Sequence, residues 1–123
     1  LKNNVNYLGE VKHKELSDIY KSSQIGIFLS SCENLPNILI EKMASGLPII
    51  SSNKRPMTDI LSDSNILIDE LSVEEIKEAI NTFHHSSELS KISTINQNDA
   101  AQFSWKMCAK KTFNYLNFIL KEL

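Results

Sequence analysis

Glycine and proline are scarce in this chain, three of each in 123 residues, which excludes collagen-like and linker-like sequence. Cysteine is scarcer still. Cys32 and Cys108 stand far apart, with no Cys-x-x-Cys step and no histidine beside either, so neither a disulfide scaffold nor a zinc site is expected. The longest apolar runs are about five residues, whereas a membrane-spanning helix needs ~18. Neither sign of charge dominates: twelve lysines and one arginine face fifteen acids, for a net −2. That balance argues against the concentrated basic face of a nucleic-acid binder. A basic-then-apolar leader is missing as well, so no secretory signal is expected, and the cysteine usage fits a reducing cytoplasm. What the chain does have is 41% hydrophobic residues, enough to close one core in one domain. It opens on Leu1 rather than a methionine and runs at once into the strand-like Val5–Leu8, which reads as a piece of something longer.

Short apolar runs alternate with helical periodicity, and no internal repeat interrupts them. Val5–Leu8 predicts a strand stopped by Gly9, and the spacing of Leu16, Ile19 and Tyr20 predicts a helix over 13–22. Ile25–Leu29 carries no polar residue, as a strand covered on both faces must be. A second helix is expected from about Pro36 to Ser45, with Asn34 as N-cap and Gly46 as its stop. Leu47–Ile50 predicts the next buried strand, opened by Pro48 where no ladder bond is lost. A helical turn near Thr58–Leu61 and a weak strand at Ile66–Ile68 follow. Ser72 and Glu75 have capping-box spacing ahead of an amphipathic helix through Phe83. A modest helix is expected around Leu89–Ile95, and a long one from Ser104 whose stripe of Trp105, Cys108, Ala109, Thr112, Leu116, Ile119, Leu120 and Leu123 reads as core packing. Strand–helix alternation of this kind means right-handed crossovers and a small parallel sheet of three to four strands.

In open parallel sheets a ligand crevice lies beyond the carboxyl ends of the strands, and the unusual residues of this chain fall there. Glu33 precedes the second helix and Glu41 sits about two turns into it, among Ile38, Leu39, Ile40, Met43 and Ala44. A carboxylate in apolar surroundings is costly without donors to accept from, and sugar diols are such donors. The free amides around Asn34–Asn37 attract anions, phosphate above all.

The run Ser31-x-Glu33-x-x-Pro36-Asn37-x-Leu39-Ile40-Glu41-Lys42-Met43-Ala44-x-Gly46-x-Pro48-Ile49-Ile50 resembles the signature of retaining glycosyltransferases of the GT-B fold, family 4 (group 1), with its Glu-x7-Glu motif and Met-Ala-x-Gly-x-Pro segment. Tyr7–Val11, Pro56–Leu61 and Phe103–Trp105 are similar to further segments of that family, in the same order, so the resemblance covers nearly the whole chain. It implies a Rossmann-like, partial nucleotide-sugar-binding domain over residues 1–123, one part of a GT-B fold. Glu33, the catalytic-site acid, would accept hydroxyls of the donor sugar. The stretch Asn34, Leu35, Pro36, Asn37 and Ile38 would face sugar and diphosphate, Pro36 without an amide to give. Glu41 would hold the ribose hydroxyls, while Gly9, Val11 and His13 would border the base. The substrate implied is a nucleotide-diphosphate sugar such as a UDP- or GDP-sugar, with no cofactor and no metal, since no Asp-x-Asp is present.

Two departures mark the likeness. Asn34–Asn37 replaces the family's usual Gly-Phe or Ser-Phe-Gly step, a variant common among builders of capsular and lipopolysaccharide glycans. Asp59 stands where Glu is usual, one methylene shorter, which puts a direct role for it in doubt. The family's upstream Arg–Lys pair and its separate acceptor domain find no counterpart here, so the chain alone is expected to be inactive. The implied partners are the donor and a glycan or lipid-linked acceptor, with peripheral membrane association of the full-length enzyme and self-association of this chain as further expectations. Competing readings are a GT-B phosphorylase, epimerase or non-transferring subunit, and a small flavodoxin-like or receiver-like module, for which Gly9-Glu10 offers only one acid. Lys42 reads as an exposed helix lysine, Cys32 as a small buried filler, and His13, His84 and His85 as surface residues. Ser30–Ser31 leaves two readings open, the end of a strand or a contact to ligand.

Overall fold

The computed structural model describes residues 4–122. Nine elements follow one another: α1 (His13–Ser22), β1 (Gly26–Phe28), α2 (Asn37–Ala44), β2 (Ile49–Ser52), α3 (Met57–Ile60), β3 (Ile66–Ile68), α4 (Val73–His84), α5 (Leu89–Ala100) and α6 (Trp105–Glu122). The three strands form one parallel sheet in the order β1-β2-β3, with Gly26 opposite Ile49 and Ile50 opposite Ile66. Alternating side chains of β2 feed both faces. Ile49 joins Leu39, Met43, Leu47, Met57 and Leu61 on one side, and Ile50 joins Ile68, Ala79, Phe83 and Ile92 on the other. This is the α/β, Rossmann-like arrangement the alternation predicts, with three strands among the described residues.

Several boundaries differ from expectation for identifiable reasons. Val5–Leu8 forms no strand; its side chains are exposed and its backbone finds no ladder partner among the described residues. β1 is shorter than Ile25–Leu29 and lies at the sheet edge, which leaves Ile27 39% exposed rather than covered on both sides. Asn34 does not cap α2: the N-cap is Pro36, with no side-chain bond. At the other end the glycine stop holds. The Leu47 amide donates to the Lys42 carbonyl and the Gly46 amide to that of Met43, a Schellman closure with Gly46 at φ +80°. Because Leu47 spends its amide there and Pro48 has none, β2 begins at Ile49 and continues through Ser51 and Ser52. The Ser72 hydroxyl accepts from the Glu75 amide, but the Glu75 carboxylate takes the Asp69 amide, so the capping box closes on one side only.

The two last helices depart furthest. α5 runs through Ala100, and its inward side holds Asn96, wholly buried. α6 starts where expected, with the Met107 amide donating to Ser104 Oγ, yet none of its residues is buried and Trp105 is 90% exposed. Its stripe therefore packs on no core among the described residues, and Leu123, the last residue expected in it, lies outside them.

Candidate functional site

The carboxyl end of β1 leads into the loop that carries Glu33, and buried hydroxyls fasten that loop at its root. On the central strand, Ser51 Oγ donates to the Phe28 carbonyl at 2.8 Å and Ser52 Oγ donates to the Ser30 carbonyl, both serines being wholly buried. Ser30 Oγ in turn donates to Glu33 Oε1 at 2.7 Å. Ser30 is thus the residue that orients the acid, while Ser31 is exposed. One carboxylate oxygen of Glu33 is engaged and the side chain is half-buried. Cys32 is exposed beside it, not a buried filler.

The chain then turns into α2. The Asn37 amide donates to the Leu35 carbonyl at 2.9 Å, which takes one of the expected phosphate donors out of play. Among the described residues, the amides of Asn34, Leu35 and Ile38 have no carbonyl acceptor. Asn34, Leu35, Asn37 and Ile38 all lie exposed at this end, whereas Pro36 is buried. Of these only Ile38 is a first-turn amide of α2, of the kind a helix start offers an anion; Asn34 and Leu35 precede the N-cap, Pro36.

Glu41 lies one face round from that end. His13 Nε2 stands 3.4 Å from Glu41 Oε1, and the two side chains line a cavity of about 160 Å³ with Leu16, Ser17, Tyr20, Ala44 and Ser45. The Glu41 side chain is 35% exposed. Burial first, and then the Glu41 carboxylate beside it, hold the Tyr20 phenol above its usual pKa. His13 and Glu41, expected at base and ribose, thus share one cavity. Gly9 and Val11 do not line it; Gly9 sits at φ +65°, exposed, with open space where a side chain would start. Glu33 and the Asn34–Ile38 stretch lie outside it as well.

Sequence reasoning missed Tyr20 as a neighbour of Glu41. The signal was present: Leu16 and Tyr20 stand three and seven residues after His13, on one helical face. Lys42 is not a free surface lysine. Its ammonium donates to the Ile27 carbonyl at 2.7 Å and lies 5.7 Å from the Phe28 ring centre, and burial lowers its pKa. Among the described residues Asp59 pairs with Arg55 at 3.5 Å, both exposed, an arrangement worth little energy.

Residues 1–99 match the family described as glycosyl transferases group 1. The chain belongs to this family. Among curated relatives, it is 26% identical over 111 residues to the O-antigen chain mannosyltransferase B of Escherichia coli, a match covering 89% of this chain and 29% of that protein. It is 24% identical over 114 residues to the sulfoquinovosyl transferase SQD2 of Arabidopsis thaliana, covering 88% of this chain and 22% of the relative. This group 1 glycosyltransferase chain therefore spans less than a third of either relative. Its open parallel sheet with flanking helices is consistent with one Rossmann-like half of a GT-B fold.

Proposed function

We propose that this chain is part of the donor-binding domain of a retaining glycosyltransferase and holds a nucleotide-diphosphate sugar for transfer to a glycan or lipid-linked acceptor in the cytoplasm. The observation that carries the reading is Glu41, a half-buried carboxylate at the wall of a small cavity, beside the imidazole of His13, which is 87% exposed. Such an oxygen pair has room for two vicinal hydroxyl donors, the pattern of a ribose. His13 borders the same cavity, where a base edge can pack.

The remaining parts divide the work by charge. Glu33 keeps an oxygen for hydroxyls of the sugar while Ser30 fixes the other. The amides of Asn34, Leu35 and Ile38 stabilise the diphosphate as its bond to the anomeric carbon breaks and negative charge grows on the leaving oxygen, the electrostatic term that usually dominates. The acceptor hydroxyl then adds on the face that the diphosphate leaves, its proton passing to the departing phosphate oxygen. A mannosyltransferase and a sulfoquinovosyl transferase among the relatives favour a sugar donor over other nucleotides.

Calorimetric titration of the full-length enzyme with UDP- and GDP-sugars tests this. Glu41→Ala is expected to weaken binding of the accepted donor by ~1–3 kcal/mol, the range for donors left unpaired. Unchanged affinity would remove Glu41 from the site.

A further inference from the structure

Beside Glu41, the small cavity between α1 and α2 carries His13, Ser17, Tyr20 and Ser45 as side chains able to donate a proton. They are not equivalent. His13 and Ser17 are exposed, so water competes for both. Ser45 Oγ already donates at 3.0 Å to the Glu41 carbonyl, the backbone oxygen rather than the carboxylate. Tyr20 is half-buried, and its ring packs against the core of Leu39, Met43 and Leu47. A packed aromatic ring has only two torsions to settle, so its hydroxyl is placed at little entropic cost.

The position of Tyr20 fits that role. With Ser45 it also lines a second cavity, of about 370 Å³, that reaches Gly46, Leu47 and Pro48 ahead of β2. Tyr20 therefore stands in the wall between the two cavities, and on one side of that wall it meets Glu41. Burial, then the charge of Glu41, then the bond the phenol gives that acid, hold Tyr20 above its ordinary pKa and keep it a donor. An ionised carboxylate offers about four lone-pair sites. One bond from Tyr20 leaves room for a diol while restraining the plane of the group.

We infer that Tyr20 is a positioning residue for Glu41: the core sets the phenol, and the phenol turns the carboxylate to meet two vicinal hydroxyls at once. The inference rests on the reading of Glu41 as the ribose acceptor. It makes the preference for a ribose depend on a side chain that acts only through that acid.

Calorimetry on the full-length enzyme tests it with UDP, GDP and ADP, each beside its 2′,3′-dideoxy form. The wild type is expected to bind the ribose form of its nucleotide more tightly. Tyr20→Phe keeps the ring in the core and removes the hydroxyl. It is expected to weaken the ribose form about three- to tenfold, the cost of ordering one side chain, and to leave the dideoxy form unchanged. In a Glu41→Ala background the same substitution should have no further effect, since the group it positions is gone. Unchanged ribose-form affinity, an equal loss for both forms, or an additive loss on top of Glu41→Ala would overturn the positioning role and leave Glu41 as acceptor. A wild type that bound none of these nucleotides, or both forms of one equally, would take Glu41 off the ribose and the inference with it.

Discussion

Asn96 joins three segments through one side-chain amide. Its Nδ2 donates to the Leu47 carbonyl at 2.7 Å and to Asn65 Oδ1 at 2.9 Å, and its Oδ1 accepts from Asn65 Nδ2 at 2.8 Å. Asn65 Oδ1 also accepts the Ile49 amide, which opens β2. α5, the end of α2, the start of β2 and the approach to β3 are thus pinned at one buried point. Asn96→Ala is expected to lower unfolding free energy by ~1–3 kcal/mol in urea titration, because partners are left buried and unpaired. Apolar periodicity cannot reveal such a residue: Asn96 occupies an inward position of α5 as a polar amide, and for that reason the sequence pattern ends the helix near Ile95. Lys42 went unread for the opposite reason. A lysine on a helix usually faces water, and only the tertiary path of β1 brings the Ile27 carbonyl within its reach.

At the scale of elements, legibility tracks how local the determining physics is. The stop of α2 was readable because one glycine satisfies a local backbone demand, and Gly46 does so at φ +80°. Its tightness was not readable: a Cβ there would lie 2.5 Å from Ser93 Oγ and 3.0 Å from Gln97 Nε2 of α5. Gly46→Ala is expected to lose ~1–2 kcal/mol from the left-handed conformation alone, with α5 shifted as well, measurable by thermal denaturation. Val5–Leu8 has the composition of a strand and no ladder partner, since pairing depends on what lies alongside rather than on the segment itself. α6 makes the same point for helices. Its amphipathic stripe was legible, but a stripe states which side prefers to leave water, not whether anything is there to receive it. For the site, the two acids and the helix start between them were legible as a spacing. Their individual partners, Ser30 for Glu33 and His13 with Tyr20 near Glu41, came only from how α1 and the β1 loop lie against α2.

On the scale of the whole molecule, the chain covers 29% and 22% of the two curated transferases it matches. Transfer requires an acceptor hydroxyl held against the anomeric carbon, and that alignment accounts for a large part of the barrier. In the proposed reading, the residues argued above would hold only a donor. The chain by itself is therefore expected to give no product with any sugar nucleotide in a radiolabel transfer assay, while still showing donor binding by calorimetry. Product formation would mean that the acceptor site also lies within these residues.

The serines of β2 bear on how tightly a donor can be held. Ser52 fixes the Ser30 carbonyl and the Ser30 hydroxyl fixes Glu33, so this acid is linked through two bonds to the immobile middle of the sheet. A side chain free to rotate loses that freedom when a ligand arrives, at a cost of ~0.5–1.5 kcal/mol for a long flexible one. Here the Ser30 bond already restrains the carboxylate, so a sugar bound as proposed would be spared that entropic loss.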